Sequence, residues 1–425
     1  MFGAENAQSL IGLGVVLGAC WLLSEDRRRF PLLLAVCALL AQAGLVLLLF
    51  GFPWASAVLE GIGEAVDVLA SSTQAGTRFV FGYLAGDGAP FAVDKPEAMF
   101  VFAFRVLPVI LVVCALSALL WHWRILKWIT RGFGLVFQKT MGLRGPPALA
   151  TAATIFMGQV EGPIFIRAYL DKLTRSELFM LLAVGMSCVS GSTMVAYVTI
   201  LKPVLAHAAA HVLTASIISA PAGILLARIM VPADKTEKSM DFDPSSEKTY
   251  DSSIDALIKG TTDGLQVVLN VGATLIVFVA LMFMVDRLLG ALPMIGGRPL
   301  SIERGLGLLF APLAWCLGIP WKEAPAAGGL LGVKLILTEF SAFIQMGHMP
   351  AGVLSDRSRM IMTYALCGFA NIASVGINVA GFGVLVPSRR GEIIGMIWKA
   401  LIAGFLATCM TASIVGALPA GLFQR

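Results

Sequence analysis

The feature that most constrains this chain is the recurrence, from one end to the other, of apolar runs as long as a bilayer is thick. A helix needs about 20 mostly apolar residues to cross the hydrocarbon layer. Runs of that order occupy 8–23, 31–52, 98–121, 176–201, 207–231, 264–289, 360–386 and a last stretch beyond Arg390. With no water in the hydrocarbon, backbone N–H and C=O groups must be satisfied within each segment, so each run predicts a helix. The chain therefore reads as an all-α polytopic membrane protein with about eight transmembrane helices. Composition agrees: 58% of the 425 residues are hydrophobic and 13% charged, with no stretch that reads as a separate soluble domain. Seven cysteines are scattered through apolar runs with no Cys-x-x-Cys pair, which argues against a disulfide framework or a zinc site. Nothing in the charge pattern points to nucleic acid.

Placement of Lys and Arg sets the orientation. The first run is followed, not preceded, by basic residues, Arg27 to Arg29. That order is the reverse of a cleaved signal peptide, so an uncleaved helix is expected, with the N-terminus outside a plasma (inner) membrane. In 54–84, Val58, Ile62, Val66 and Leu69 make an apolar stripe opposite Glu60, Glu64 and Asp67. This predicts an amphipathic helix on the outer surface. A loop rich in Gly and Pro follows at 82–96. Trp121, Trp123 and Trp128 with Arg124, Lys127, Arg131 and Lys139 mark the inner interface, and Lys235, Lys238 and Lys248 place the polar linker 232–252 inside.

Two halves of the chain repeat one another. Arg131-Gly-Phe-Gly-Leu-Val-Phe137 returns as Arg304-Gly-Leu-Gly-Leu-Leu-Phe310, 173 residues later (304 minus 131). Each copy is followed by a short, broken apolar segment with one acid, Glu161 or Glu339, and then by a longer run with polar residues in mid-membrane. These runs contain Ser187-Cys-Val-Ser-Gly-Ser192 and Ala370-Asn-Ile-Ala-Ser374. The broken segments are too short to span, which predicts re-entrant hairpins. The count of charged loops places the copies in opposite orientations, although Arg304, Arg357 and Arg359 on the outer side run against it. Inverted repeats with discontinuous helices meeting near the midplane are a secondary-transporter signature.

The polar residues inside these apolar runs are where chemistry can occur, because each must find a partner or a ligand. Plain alternatives stand beside that reading. Asn371 and Ser374 can be interhelical glue, Glu161 can pair with Arg105, and Lys334 can pair locally with Glu339. His207 and His211, four residues apart near the outer end of a span, have no third ligand and read as packing residues rather than a metal site. A membrane-embedded enzyme has Ser190-Gly-Ser192 but no histidine placed in sequence to activate it. A channel remains a rival, although acids at two inverted hairpin tips suit alternating access better.

Gly158-Gln-Val-Glu-Gly-Pro163, Gly332-Val-Lys through Thr338-Glu-Phe-Ser-Ala, Cys367-Gly-Phe-Ala-Asn-Ile-Ala-Ser374 and Pro387-Ser-Arg-Arg390 resemble the motifs of the concentrative nucleoside transporters of bacterial type. The likeness runs from about Arg124 to Ala417. It implies a homotrimer, each protomer having a scaffold and a transport domain built from two hairpins and two unwound helices. The division expected is 1–122 as N-terminal scaffold helices with the outer interfacial helix, and 123–231 as the first repeat. A cytoplasmic linker and central scaffold helix follow at 232–300, and the second, inverted repeat at 301–425. The function implied is secondary active, cation-coupled symport of nucleosides into the cell, without enzymatic activity or cofactor. The alternatives are a transporter of this architecture for another small polar solute, or a channel.

By the same resemblance, Gln159, Val160 and Glu161 at the first hairpin tip, with Thr193 and Phe369, address the nucleobase, and Glu339, Asn371 and Ser374 address the ribose hydroxyls. The family's sodium site maps onto Thr154, Met157, Cys188, Val189 and Ser192. Four positions depart from the family pattern. Val160 stands in place of a Thr or Ser, Thr338 and Thr154 each in place of Asn, and Cys188 in place of a hydroxyl residue. Sodium is hard and prefers oxygen to a thiol. Proton coupling through Glu161 or Glu339 is therefore slightly favoured over sodium, both remaining open. The partners expected are a nucleoside, the lipid bilayer and two further copies of the chain.

Overall fold

The computed structural model describes residues 3–86, 88–92, 101–143, 145–233, 250–291 and 301–423. Most of the 232–252 linker, with its three lysines, and part of the 82–96 loop lie outside these residues. Every element among the described residues is helical. The chain opens with α1 (Ala4–Leu22), α2 (Leu32–Gly51) and the 29-residue α3 (Pro53–Phe81). Along α3, Ile62, Val66 and Leu69 are half-buried while Glu60, Glu64, Asp67 and also Val58 are exposed, so the stripe is shorter than its sequence suggests.

The run at 98–121 becomes α4 (Phe102–Arg105) and α5 (Pro108–His122), separated just before Pro108. Proline lacks the N–H that would continue the ladder, which is why the break falls there. Then come α6 (Ile125–Met141), α7 (Pro146–Met157) and the single turn α8 (Glu161–Ile164). The apolar run that follows is divided into α9 (Arg175–Ser187) and α10 (Gly191–Leu201), and α11 (Ala208–Met230) returns beside it. A single 38-residue helix, α12 (Ser253–Gly290), lies along α5 and leaves most of its apolar length exposed.

The later part repeats the pattern with α13 (Ile302–Cys316), α14 (Ala324–Ile336), α15 (Glu339–His348), α16 (Asp356–Leu366), α17 (Ile372–Leu385) and α18 (Arg390–Ala417). The repeated heptapeptides lie in α6 and α13. In both, the second glycine faces the next helix: a Cβ on Gly134 would lie 3.6 Å from the Ala148 carbonyl oxygen, and one on Gly307 2.7 Å from that of Pro325.

By length and hydropathy, six stretches qualify to cross a membrane: Leu32–Gly51, Phe102–His122, Arg175–Leu201, Ala208–Met230, Ser253–Gly290 and Pro387–Ala417. Two of the eight expected runs fall short of that measure for physical reasons. The Asn371 run is cut at 367–371 into α16 and α17. In α1 the first turns carry Asn6, Gln8 and Ser9, whose side chains donate to carbonyls of Gly416, Leu418, Trp315, Ile319 and Leu317.

The core lies where α9 is enclosed by α11 and α18. Phe179, Leu182, Val184, Ile224, Leu225 and Met410 are fully buried there. Backbones approach closely: a Cβ on Gly404 of α18 would sit 2.6 Å from the Met186 Cβ. Small residues at such crossings let van der Waals packing do what the hydrophobic effect does in water. At one end of this bundle Glu25 accepts from Arg175 (3.0 Å) and Lys399 (3.1 Å), while Arg389 donates to the carbonyls of Leu170 and Leu173. The Glu25 network ties the loop after α1 to α9 and α18.

Candidate functional site

Four interruptions of helix meet around one cluster of polar side chains. The first is the tip between α7 and α8. Gly158 adopts φ +116°, which favours glycine, and a Cβ there would lie 2.6 Å from the Glu161 carboxylate. The second is the tip between α14 and α15, where Thr338 caps α15 by accepting from the Ser341 N–H at 3.2 Å. The third and fourth divide the long runs. Ser190 caps α10, and Asn371 caps α17 by accepting from the Ser374 N–H at 2.8 Å. Short polar side chains at these points satisfy N–H groups that an N-terminus leaves open.

The two divided helices touch at their breaks. The Phe369 N–H donates to the Cys188 carbonyl at 3.2 Å, and a Cβ on Gly368 would lie 2.7 Å from the Ser187 carbonyl oxygen. Gly368 is therefore the residue that lets one unwound backbone lie against the other. Non-helical backbone at membrane depth is tolerated only where protein or a cavity surrounds it.

Glu339 stands at the middle of the polar cluster and is 5% exposed. Its Oε1 accepts from the Tyr197 hydroxyl and its Oε2 from the Asn371 amide, both at 2.7 Å. Asn371, through its cap, fixes the start of α17, whose Ser374 hydroxyl accepts from the Gln159 amide at 3.3 Å. Asn378 in turn donates to the Gln159 Oε1 at 2.9 Å. Gln159, Glu339, Asn371 and Ser374 thus belong to one bonded chain of side chains. On α10 beside it, Thr193 pairs with Ser190, as Ser192 also does, at 3.0 Å each, and lies within reach of the Tyr197 hydroxyl. Phe369 is half-buried within its break.

Other expected residues are placed differently. Glu161 is exposed and stays outside the bonded chain, with Cys114 of α5 and Asp263 of α12 in electrostatic range. No ion pair joins it to a basic residue among the described residues. Val160, expected beside the base, sets its methyls against α17 at Gly381, where the absent side chain leaves room for them. Lys334 forms no ion pair with Glu339. Its ammonium donates to the Ala365 carbonyl and the Thr408 hydroxyl at 2.7 Å each. His211 shares a hydrogen bond of 3.1 Å with the Tyr364 hydroxyl and stacks on Phe50, while His207 is the N-terminal cap residue of α11.

The expected cation set is likewise divided. Thr154 spends its proton on the Ala150 carbonyl and keeps oxygen lone pairs, and Ser192 keeps one beside Ser190. The Val189 carbonyl already accepts from Ser216 at 3.2 Å. The Cys188 thiol points at the Ser216 carbonyl of α11, 3.6 Å away, and its own carbonyl is taken by Phe369. Met157 is half-buried at the end of α7. The donors left for a hard cation are two hydroxyls and the carbonyls of Met157 and Val189, with the thiol turned away. Four oxygens of this kind are hard donors, and the thiol contributes nothing to them.

Tyr197 and Asn378 were not singled out from the sequence. Both had a signal: Tyr197 lies four residues after Thr193 on one helix, and Asn378 lies seven after Asn371 and four after Ser374, so each shares a helix face with an expected site residue.

Known proteins place the whole chain. Family models for the Na+ dependent nucleoside transporter N-terminus and C-terminus match residues 11–84 and 211–416, and one for nucleoside recognition (Gate) matches 103–204. The transporter YutK of Bacillus subtilis (strain 168) is 36% identical over 413 residues, 96% of this chain and 98% of that protein. The nucleoside permease NupC of Helicobacter pylori (strain ATCC 700392 / 26695) is 34% identical over 413 residues, 96% of both proteins. The solved structure of CNTnw in an inward-facing substrate-bound state superposes with a TM-score of 0.86 at 32% identity, covering 97% of both chains. This chain belongs to the concentrative nucleoside transporter family, whose members are transporters and not enzymes.

Proposed function

We propose that the protein imports nucleosides by proton-coupled symport with alternating access, holding the substrate where the four helix breaks meet. The observation that carries this reading is the bonded chain from Tyr197 through Glu339 and Asn371 to Ser374 and Gln159. Glu339, Asn371 and Ser374 address the ribose: a carboxylate whose oxygens are held by two donors is oriented to accept from a pair of hydroxyls, and charge-assisted bonds are the strong ones in a dry site. Gln159, Glu161, Thr193 and Phe369 border the base, the first two from the hairpin tip.

The coupling ion follows from hydrogen bonding. Glu339 accepts on both oxygens, an arrangement suited to its ionised form. Glu161 is exposed and not committed to side-chain donors, so it is the acid free to take and release a proton. The thiol at Cys188 supports the same choice against sodium. The resemblance supports a homotrimer, the exposed apolar length of α12 supplying surface for contact between copies, and the basic residues Arg27 to Arg29 after the first run support an N-terminus outside the inner membrane. Uptake of labelled uridine and adenosine into proteoliposomes, under separately imposed proton and sodium gradients, tests the proposal. Accumulation against the gradient under a proton gradient alone is expected; equilibration without accumulation overturns it in favour of a channel.

A further inference from the structure

We infer that Lys334 is a built-in cation of the second repeat, a positioning residue that holds the 367–371 break open and thereby sets Asn371 and Glu339 for the substrate. The inference rests on the reading of Glu339 and Asn371 as ribose ligands. Lys334 is 0% exposed, the most completely buried charged side chain in the described structure. Glu339 is in electrostatic range of it but forms no ion pair with it, and a buried cation with no acid in contact is costly unless its protons are well placed.

Its protons are well placed, on groups that belong to the break. Ala365 lies in the last turn of α16, where carbonyls have no helical N–H to receive and the helix dipole is negative. The ammonium donates there at 2.7 Å. Its second bond, also 2.7 Å, goes to the Thr408 hydroxyl of α18, which has given its own proton to the Phe405 carbonyl. The ammonium also stands over the Phe405 ring, 5.4 Å from its centre. Thr408 in turn borders Gly368: a Cβ on that glycine would lie 2.5 Å from the Thr408 methyl. One cation thus joins the hairpin helix α14, the end of α16 and the wall against which the unwound segment rests.

The two copies make the role specific. Their helix ends keep one offset, 179 residues, both at the hairpin (336 minus 157) and at the break (366 minus 187). At that offset Lys334 corresponds to Ile155 and Cys367 to Cys188. The first copy has no basic side chain at the matching place, and its break is held instead by the Ser216 hydroxyl donating to Val189. A buried basic side chain at this place is therefore a property of the second copy alone.

The test is uridine uptake and binding by the full-length protein in proteoliposomes, with folding followed by detergent gel filtration. Lys334→Met keeps the length and removes the charge; KM for uridine should rise at least about tenfold while the protein elutes as the wild type does. Lys334→Ala should recover uptake when ethylammonium is supplied and not when sodium is, which a merely space-filling role would not produce. If Lys334→Met does not fold, Thr408→Val decides, since it removes one acceptor and keeps the shape: a raised KM supports the inference. Unchanged KM in the folded variants, or failure of ethylammonium to rescue a folded Lys334→Ala, overturns it. Wild-type protein that ignores uridine would instead overturn the substrate reading itself.

Discussion

At the scale of single residues, the cluster is governed by what a carboxylate costs in a dry place. Glu339 is tolerated because Tyr197 and Asn371 each donate to it at 2.7 Å. Replacing it with Gln keeps the shape, removes the charge and confronts Asn371 with an amide of its own kind. Loss of a charge-assisted bond to a ribose hydroxyl should weaken uridine by about 1.5–3 kcal/mol, one to two orders of magnitude in KM. Tyr197→Phe should weaken it less, because the tyrosine orients the carboxylate without itself being assigned to the substrate; equal uptake of the free base, or an unchanged KM in Glu339→Gln, would remove the ribose assignment. The residues that stood out in the sequence were those expensive to bury, Glu339, Asn371, Gln159 and Lys334. Tyr197 and Asn378 escaped notice because a single tyrosine and a second asparagine in a membrane run are ordinary. The local pair of Lys334 with Glu339, one alternative the sequence leaves open, is not formed: the carbonyl of Ala365, in the last turn of α16, and the Thr408 hydroxyl receive the ammonium instead.

Among elements, the broken segments were legible because their apolar stretches are too short to span, whereas the exact breaks were set by single residues. Gly158 marks one by its positive φ, and Asn371 marks another by capping α17. The Glu25 network between α9, α18 and the loop after α1 was not legible, since it joins residues 150 and 374 positions apart. Hydrogen bonding from Arg175, and then from Lys399, holds the Glu25 carboxyl below its ordinary value of 4.5. A group depressed on folding contributes stability above its unfolded value and loses it as pH falls through the folded one. The side chain is 33% exposed, so screening limits the contribution to about 1 kcal/mol or less. Glu25→Gln should therefore melt slightly earlier than wild type near neutral pH, with the gap closing below about pH 4. A gap that persists undiminished in acid would assign the effect to packing.

Over the whole molecule, two copies of one plan that are not chemically equal have to serve one transport cycle. Charge counting predicts that they are inverted: single cysteines placed at Gln159 and Thr338 should be labelled from opposite sides, with access changing on uridine binding, and labelling of both from one side only would refute it. The inequality of the copies bears on the driving ion. Inward movement of a proton or of sodium is helped equally by the membrane potential, about 2.3 kcal/mol per charge per 100 mV, so the energy available does not choose between them. Site chemistry does. A dehydrated sodium ion needs oxygens in place of its water, and around Thr154 and Ser192 the Cys188 thiol is committed to α11 while the Val189 carbonyl already accepts a hydrogen bond. A proton needs only one available base, and Glu161 beside the first hairpin tip has no side-chain donor among the described residues. Uptake by the native protein should accordingly rise as external pH falls and ignore sodium at constant pH. Glu161→Gln should lose that pH response, with uridine still bound at a fixed pH but more weakly, since Glu161 also borders the base. Thr154→Asn combined with Cys188→Thr supplies an amide oxygen and a hydroxyl, and should gain a sodium response. Native uptake that requires sodium at constant pH would show that two hydroxyls and two carbonyls suffice to hold the ion, and would leave Glu161 the role of a base contact alone.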